Sequence, residues 1–111
     1  MKTGVELIAE ERKRQIKKEG WTAEHDANHV CGELTDAAVM YAMRGYWKKR
    51  INPMIVGTDE MPGIMWPFGV EFFKPSNEPW PKGRIRDLVK AGALIAAEID
   101  RLLKEEKESA L

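Results

Sequence analysis

Apolar side chains recur at helical spacing in three stretches of the chain. In the first, about residues 3–19, Val5, Ile8, Ala9 and Ile16, with Leu7 beside them, alternate with charged residues. That spacing predicts an amphipathic helix. Its acids come early and its bases late, as the helix dipole favours, and Gly20 suits the C-cap. Glu10 and Glu11 read as part of a solvated face carrying i,i+4 charge pairs. The second stretch, about 28–44, has an apolar stripe of Val30, Leu34, Ala37, Ala38 and Tyr41, with Gly45 as its stop. Gly32 falls inside it at a cost of about 1 kcal/mol relative to Ala, and reads as a point where another backbone comes close. The third stretch, 84–107, is the clearest helix: Leu88, Ala91, Gly92, Ile95, Ile99, Leu102 and Leu103 mark its expected core stripe. Small residues at Ala91, Gly92, Ala93, Ala96 and Ala97 permit close helix–helix contact.

Residues 45–82 break the pattern. All six prolines lie there, which excludes a long helix. Trp47, Trp66, Trp80, Phe68, Phe72 and Phe73 lie there too, and rings favour burial. An ordered, irregular excursion packed on the helices is expected, with a short turn or strand around Val70–Phe73. The expected fold is therefore all-α: one domain over residues 1–111, a small bundle of about three main helices with a long Trp/Pro-rich excursion before the last.

Composition narrows the setting. Eighteen basic and eighteen acidic residues give a net charge of zero, so no global field draws the chain to nucleic acid or to an anionic membrane. No apolar run approaches the ~18–20 residues that span a bilayer, and the cytoplasm is the expected address. A single cysteine, Cys31, excludes an intramolecular disulfide and a Cys-rich zinc site. Phosphate-binding loops, dinucleotide fingerprints and nucleophile elbows are absent from the sequence.

Candidate chemistry collects in three places. His25, Asp26, His29, Glu33 and Asp36 form the richest polar cluster. In a helix that begins by His25, His25, His29 and Glu33 stand at i, i+4 and i+8, nearly on one face, with Asp36 one turn beyond. Carboxylates so arranged suit a hard divalent cation, and imidazoles would draw zinc or another transition metal. On the last helix Asp87 and Glu98 are eleven residues apart, three turns, and share a face. A carboxylate in the apolar run around Glu98 needs a metal or a cation, and Arg101 is one turn away. Asp87 has Lys90 and Arg84 within one turn. Arg84, Arg86 and Lys90 cluster where that helix begins, a setting that favours phosphate.

Gly32-Glu33-Leu34-Thr35-Asp36-Ala37-Ala38 on one helix and Arg86-Asp87-Leu88-Val89-Lys90 on a later one resemble the MazG-like all-α nucleoside triphosphate pyrophosphohydrolases. That family places an E-x-x-E pair and an E-x-x-D pair on successive helices, where they bind magnesium. The resemblance implies divalent-metal-dependent hydrolysis of (deoxy)nucleoside triphosphates between the α- and β-phosphates, with Mg2+ or Mn2+, in a homodimer. Glu33 and Asp36 match the first pair, and Asp87 the first acid of the second. Lys90 stands where the second acid belongs, and Glu98 and the His25–His29 cluster are the nearest replacements. The Glu-Gly-Trp-Thr segment, the His-Asp-x-x-His cluster and the Arg-Asp-Leu-Val-Lys-Ala-Gly-Ala-Leu run are also similar to small phage and prophage proteins. That likeness supports the alternative of a non-catalytic accessory or interaction protein on a related scaffold.

Overall fold

The computed structural model describes residues 1–20, 32–43, 57–58, 61–62 and 74–109. Three helices carry the fold: α1 (Gly4–Glu19), α2 (Glu33–Ala42) and α3 (Lys82–Ser109). The only sheet among the described residues is a two-residue antiparallel pairing, β1 (Gly57–Thr58) with β2 (Met61–Pro62). The all-α expectation holds.

Local chemistry sets the helix ends. Thr3 caps α1 in a reciprocal box: its Oγ1 accepts from the Glu6 N–H at 3.3 Å, and Glu6 Oε1 accepts from the Thr3 N–H at 3.2 Å. Gly20, left-handed at φ 72°, closes the helix as the spacing predicts. The start of α2 differs from expectation. Gly32 is left-handed at φ 84°, so the helix begins at Glu33 and does not run through from residue 28. A Cβ on Gly32 would meet nothing within 4 Å, so the glycine serves the turn and not a close backbone approach. His25, Asp26, His29 and Cys31, and with them the face expected of His25, His29 and Glu33, lie outside the described residues.

Helix α3 is two residues longer at each end than the spacing predicts. The Gly83 and Ile85 N–H groups donate to the Pro79 and Pro81 carbonyls, so the chain enters the helix already turned. Gly83 is required there, because a Cβ would collide with the Glu78 carbonyl oxygen.

Helix α2 runs antiparallel along α3. Arg84 reaches the carbonyls of Ala42 and Met43, while Glu98 meets Thr35. Leu34, Ala37, Ala38, Met40 and Tyr41 pack on Ala91, Leu94 and Ala97, and the alanines permit the close approach expected from the small-residue run.

Two faces depart from the expected pattern. The α3 residues turned toward α2 are Asp87, Ala91, Leu94, Glu98 and Arg101, all buried. Leu88, Ile95, Ile99, Leu102 and Leu103, expected in the core, are 44–57% exposed. On α1, Glu11 is 3% exposed and Gln15 is equally buried, whereas Val5 and Ile16 face outward. Trp80, expected to bury its ring, is 81% exposed. Trp47, Trp66, Phe68, Phe72, Phe73 and the Val70–Phe73 turn lie outside the described residues. No helix among the described residues is long and apolar enough to cross a membrane.

Candidate functional site

The antiparallel pairing divides the candidate acids between two ends of the α2/α3 pair. Glu33 and Asp36 occupy the first turn of α2, Asp36 exposed and Glu33 half-buried. Between them Thr35 donates from Oγ1 to Glu98 Oε2 at 3.4 Å. Glu98 is buried and takes its charge balance from Arg101 Nε on its other oxygen. Arg101 in turn reaches Glu105 at 2.9 Å. The i,i+3 pair read from the sequence is thus formed, and it satisfies a carboxylate that burial alone would leave costly.

Asp87 sits at the other end. Eleven residues of helix separate it from Glu98, about 16 Å of rise, so the two carboxylates cannot share one ion. Asp87 Oδ1 accepts the Ser76 N–H at 2.8 Å. It thereby pins residues 74–78, which lie as a strap across the start of α3. Tyr41 accepts the Lys74 N–H at 3.0 Å, and the Ser76 hydroxyl accepts the Glu78 N–H at 3.1 Å.

The three bases proposed for phosphate each hold part of the fold together. Arg84 donates to the Met43 and Ala42 carbonyls at 3.0 and 2.6 Å, filling acceptors that the end of α2 leaves open. Arg86 Nη2 lies 2.7 Å from Glu11 Oε1. Lys90 Nζ donates to the Lys74 carbonyl at 2.6 Å and stands 5.5 Å from the centre of the Tyr41 ring. Burial, then the nearby charge of Arg86, lowers the Lys90 pKa below the usual lysine range. Burial likewise pushes the Tyr41 phenol up.

Glu11 is the residue that the sequence misplaces most. Arg14 clamps it with two donors, Nε to Oε1 at 2.8 Å and Nη2 to Oε2 at 2.9 Å. Arg86 adds a third contact, and Gln15 Nε2 a fourth at 3.3 Å. Burial alone would raise its pKa, but the hydrogen bonds from Arg14 and Arg86 outweigh that and hold it below the ordinary glutamate value. A signal was present: Ile8, Glu11 and Gln15 lie on one helical face. Next to this cluster is an open groove of about 650 Å³, with Leu7, Ile85, Arg86, Val89 and Lys90 among its walls. Deeper in, a cavity of about 40 Å³ between Gln15, Tyr41, Lys90 and Leu94 has room for a water or two. The buried Gln15 Oε1 has no hydrogen-bond partner among the described residues.

Oxygen donors at Glu33, Asp36 and Glu98 have the chemistry that a hard cation takes. Among the described residues, no three His, Cys, Asp or Glu side chains stand close enough together to hold a metal ion. Comparison with protein-family models, with curated proteins and with solved structures gives no match to this chain.

Proposed function

We propose that the protein is a divalent-metal-dependent hydrolase of (deoxy)nucleoside triphosphates that releases pyrophosphate and works as a dimer, as its resemblance to the MazG-like enzymes implies. The observation that carries the proposal is the position of Glu98. It is a buried carboxylate on α3, level with the first turn of α2, where Glu33 and Asp36 lie. Glu33 and Asp36 on α2 and Glu98 on α3 then lie toward the same end of the pair, as the resemblance calls for, and would have to close on one another to hold one ion, since no three such side chains among the described residues are near enough as they stand. Glu98 takes the role first assigned to Asp87, whose oxygen secures the strap.

Glu33, Asp36 and Glu98 would hold magnesium or manganese, which supplies charge neutralisation at phosphate and activation of water. Glu98 must then turn from Arg101 toward the cation. Arg101, released from that pair, is placed to donate to a phosphate oxygen. Arg84, Arg86 and Lys90 keep their structural bonds throughout.

A panel of nucleoside triphosphates, assayed for pyrophosphate with magnesium, manganese or chelator, tests this. Metal-dependent release is expected, and Glu33→Gln should reduce it by roughly a hundredfold or more in protein that is still folded by circular dichroism. Full activity in that variant would remove Glu33 from the site.

A second reading has its own observation. Arg84, Arg86 and Lys90 are each engaged within the fold, as is Glu98. A non-catalytic interaction protein, of the phage-accessory kind, would need no more than that. Folded protein that releases pyrophosphate from no substrate would favour this reading.

A further inference from the structure

Helix α1 and the start of α3 do not close completely on each other. Between them and the strap of residues 74–78 runs the groove of about 650 Å³, a volume within the range of small-molecule sites. Glu33, Asp36 and Glu98 are not among its walls, so it is separate from the acids proposed for hydrolysis. The walls have two characters. Leu7 of α1, with Ile85 and Val89 of α3, supplies an apolar side. Arg86 and Lys90, each one residue further along α3 and one turn apart, supply a basic side.

The charges around the groove do not cancel. Lys2 meets Glu10 at 2.6 Å, and Lys82 meets Glu78 at 3.9 Å. Arg14 and Arg86 share Glu11, and Arg14 also reaches Glu19 at 3.1 Å. Asp87 holds the strap through the Ser76 N–H. Lys90 is left with no carboxylate in ion-pair contact among the described residues. Its Nζ donates to the Lys74 carbonyl, a neutral acceptor, and an ammonium has further donors to give. A half-buried cation so placed favours an anion beside it. The lowered pKa of Lys90 has the same origin, in burial and in the charge of Arg86.

The basic side also adjoins a polar recess. The 40 Å³ cavity shares Glu11, Arg14 and Lys90 with the groove and adds Gln15. Gln15 is 2% exposed; its Nε2 is bonded to Glu11, while Oε1 has no partner. An orphaned oxygen beside a cavity of this size calls for water. The groove is thus basic and hydrated at depth, and apolar along its sides.

We propose that this groove binds a small aliphatic carboxylic acid, with the carboxylate on Lys90 and Arg86 and the hydrocarbon along Leu7, Ile85 and Val89. One surplus cation matches one carboxylate, and a guanidinium beside an ammonium serves its two oxygens. A nucleoside triphosphate fits less well. It would bring several negative charges against Glu10, Glu11 and Glu78, and no aromatic side chain among the described residues lines the groove to stack on a base.

This inference does not rest on the hydrolase reading. The test titrates the full chain with octanoate, read by amide NMR shifts and by calorimetry. A dissociation constant of roughly 0.1–1 mM is expected for a ligand of this size, with shifts centred on Leu7 and residues 85–90. Octylammonium, with the same chain and the opposite charge, should leave those shifts unmoved. Lys90→Met keeps the length of the side chain, removes the charge, and should weaken octanoate binding by roughly tenfold or more. Because Lys90 also holds the strap, Ile85→Glu provides a second test. Ile85 is half-exposed, so this variant should keep its helical circular dichroism, and its new carboxylate should abolish binding. Absence of shifts at millimolar octanoate would overturn the inference. So would equal binding of octylammonium, unchanged affinity in both variants, or shifts centred on Ile95 and Ile99. Displacement of octanoate by a nucleoside triphosphate would reassign the groove to nucleotide.

Discussion

A buried carboxylate remains an anion only where donors compensate for lost water, and Glu11 has four such contacts from Arg14, Arg86 and Gln15. Because Arg86 belongs to α3, this one side chain ties the first helix to the last. Glu11→Gln removes the charge while keeping the volume, and leaves two guanidinium groups without their anion. Both guanidinium groups are partly exposed and keep some hydration, so a loss of about 2 kcal/mol is expected in urea unfolding. The pH dependence has a definite sign. The folded pKa lies below the ordinary value of 4.5. The stabilisation is therefore complete above that value and is lost as pH falls through the lower, folded one. Melting temperature measured from pH 7 down to pH 3 should fall more steeply in the wild type than in Glu11→Gln. Parallel curves would mean that Glu11 carries no net stabilising charge.

At the scale of the elements, Arg84 does for α2 what no residue of α2 can do. That helix ends at Ala42 with no base in its last turn, and its final carbonyls are met by a guanidinium from α3. Arg84→Ala should cost about 2 kcal/mol through two lost charge-assisted bonds. Arg84→Lys should recover only part of it, since one ammonium cannot match the fork across two carbonyls. Complete recovery by lysine in urea unfolding would show that charge alone matters there.

The elements themselves were legible in the sequence, because helical period and capping are local properties. Gly20 and the apolar spacing placed α1 and α3 to within two residues. The start of α2 was missed at Gly32, where a helix-interior glycine and a left-handed one look the same until the chain direction is known. On α3 the sequence carries two seams of equal period. The larger side chains suggested the wrong one as the core, and alanines took the contact with α2 because they let the helices approach. The Glu98–Arg101 pair was readable at i,i+3. The bonds of Asp87, Arg84 and Lys90 were not, because each goes to a backbone group distant in sequence, and backbone groups have no residue signature.

Taken as a whole, the molecule places unusual side chains on each side of its surface. Among the described residues, Ala37, Ala38, Ala91, Ala93 and Ala97 are buried beside Leu34, Met40, Tyr41, Val89 and Leu94, together with Glu11, Gln15, Asp87, Glu98 and Arg101, while six large aliphatic side chains of α3 are exposed. Alanines bury little apolar area, and hydrophobic stabilisation scales with that area at roughly 25 cal/mol per Å². The ion pairs hold their positions well but contribute little net stability, since desolvation offsets most of their attraction. Among the described residues, much of the large aliphatic surface thus lies on the exposed face of α3. If a second copy covers that face, unfolding is linked to dissociation, and the melting temperature rises with protein concentration. A rise of several degrees across a hundredfold concentration range is expected for the wild type. The Ile95→Glu, Ile99→Glu variant should melt lower and show no such dependence. A concentration-independent wild-type curve, at a melting temperature typical of ordinary domains, would show that a single copy is sufficiently stable with its aliphatic face uncovered.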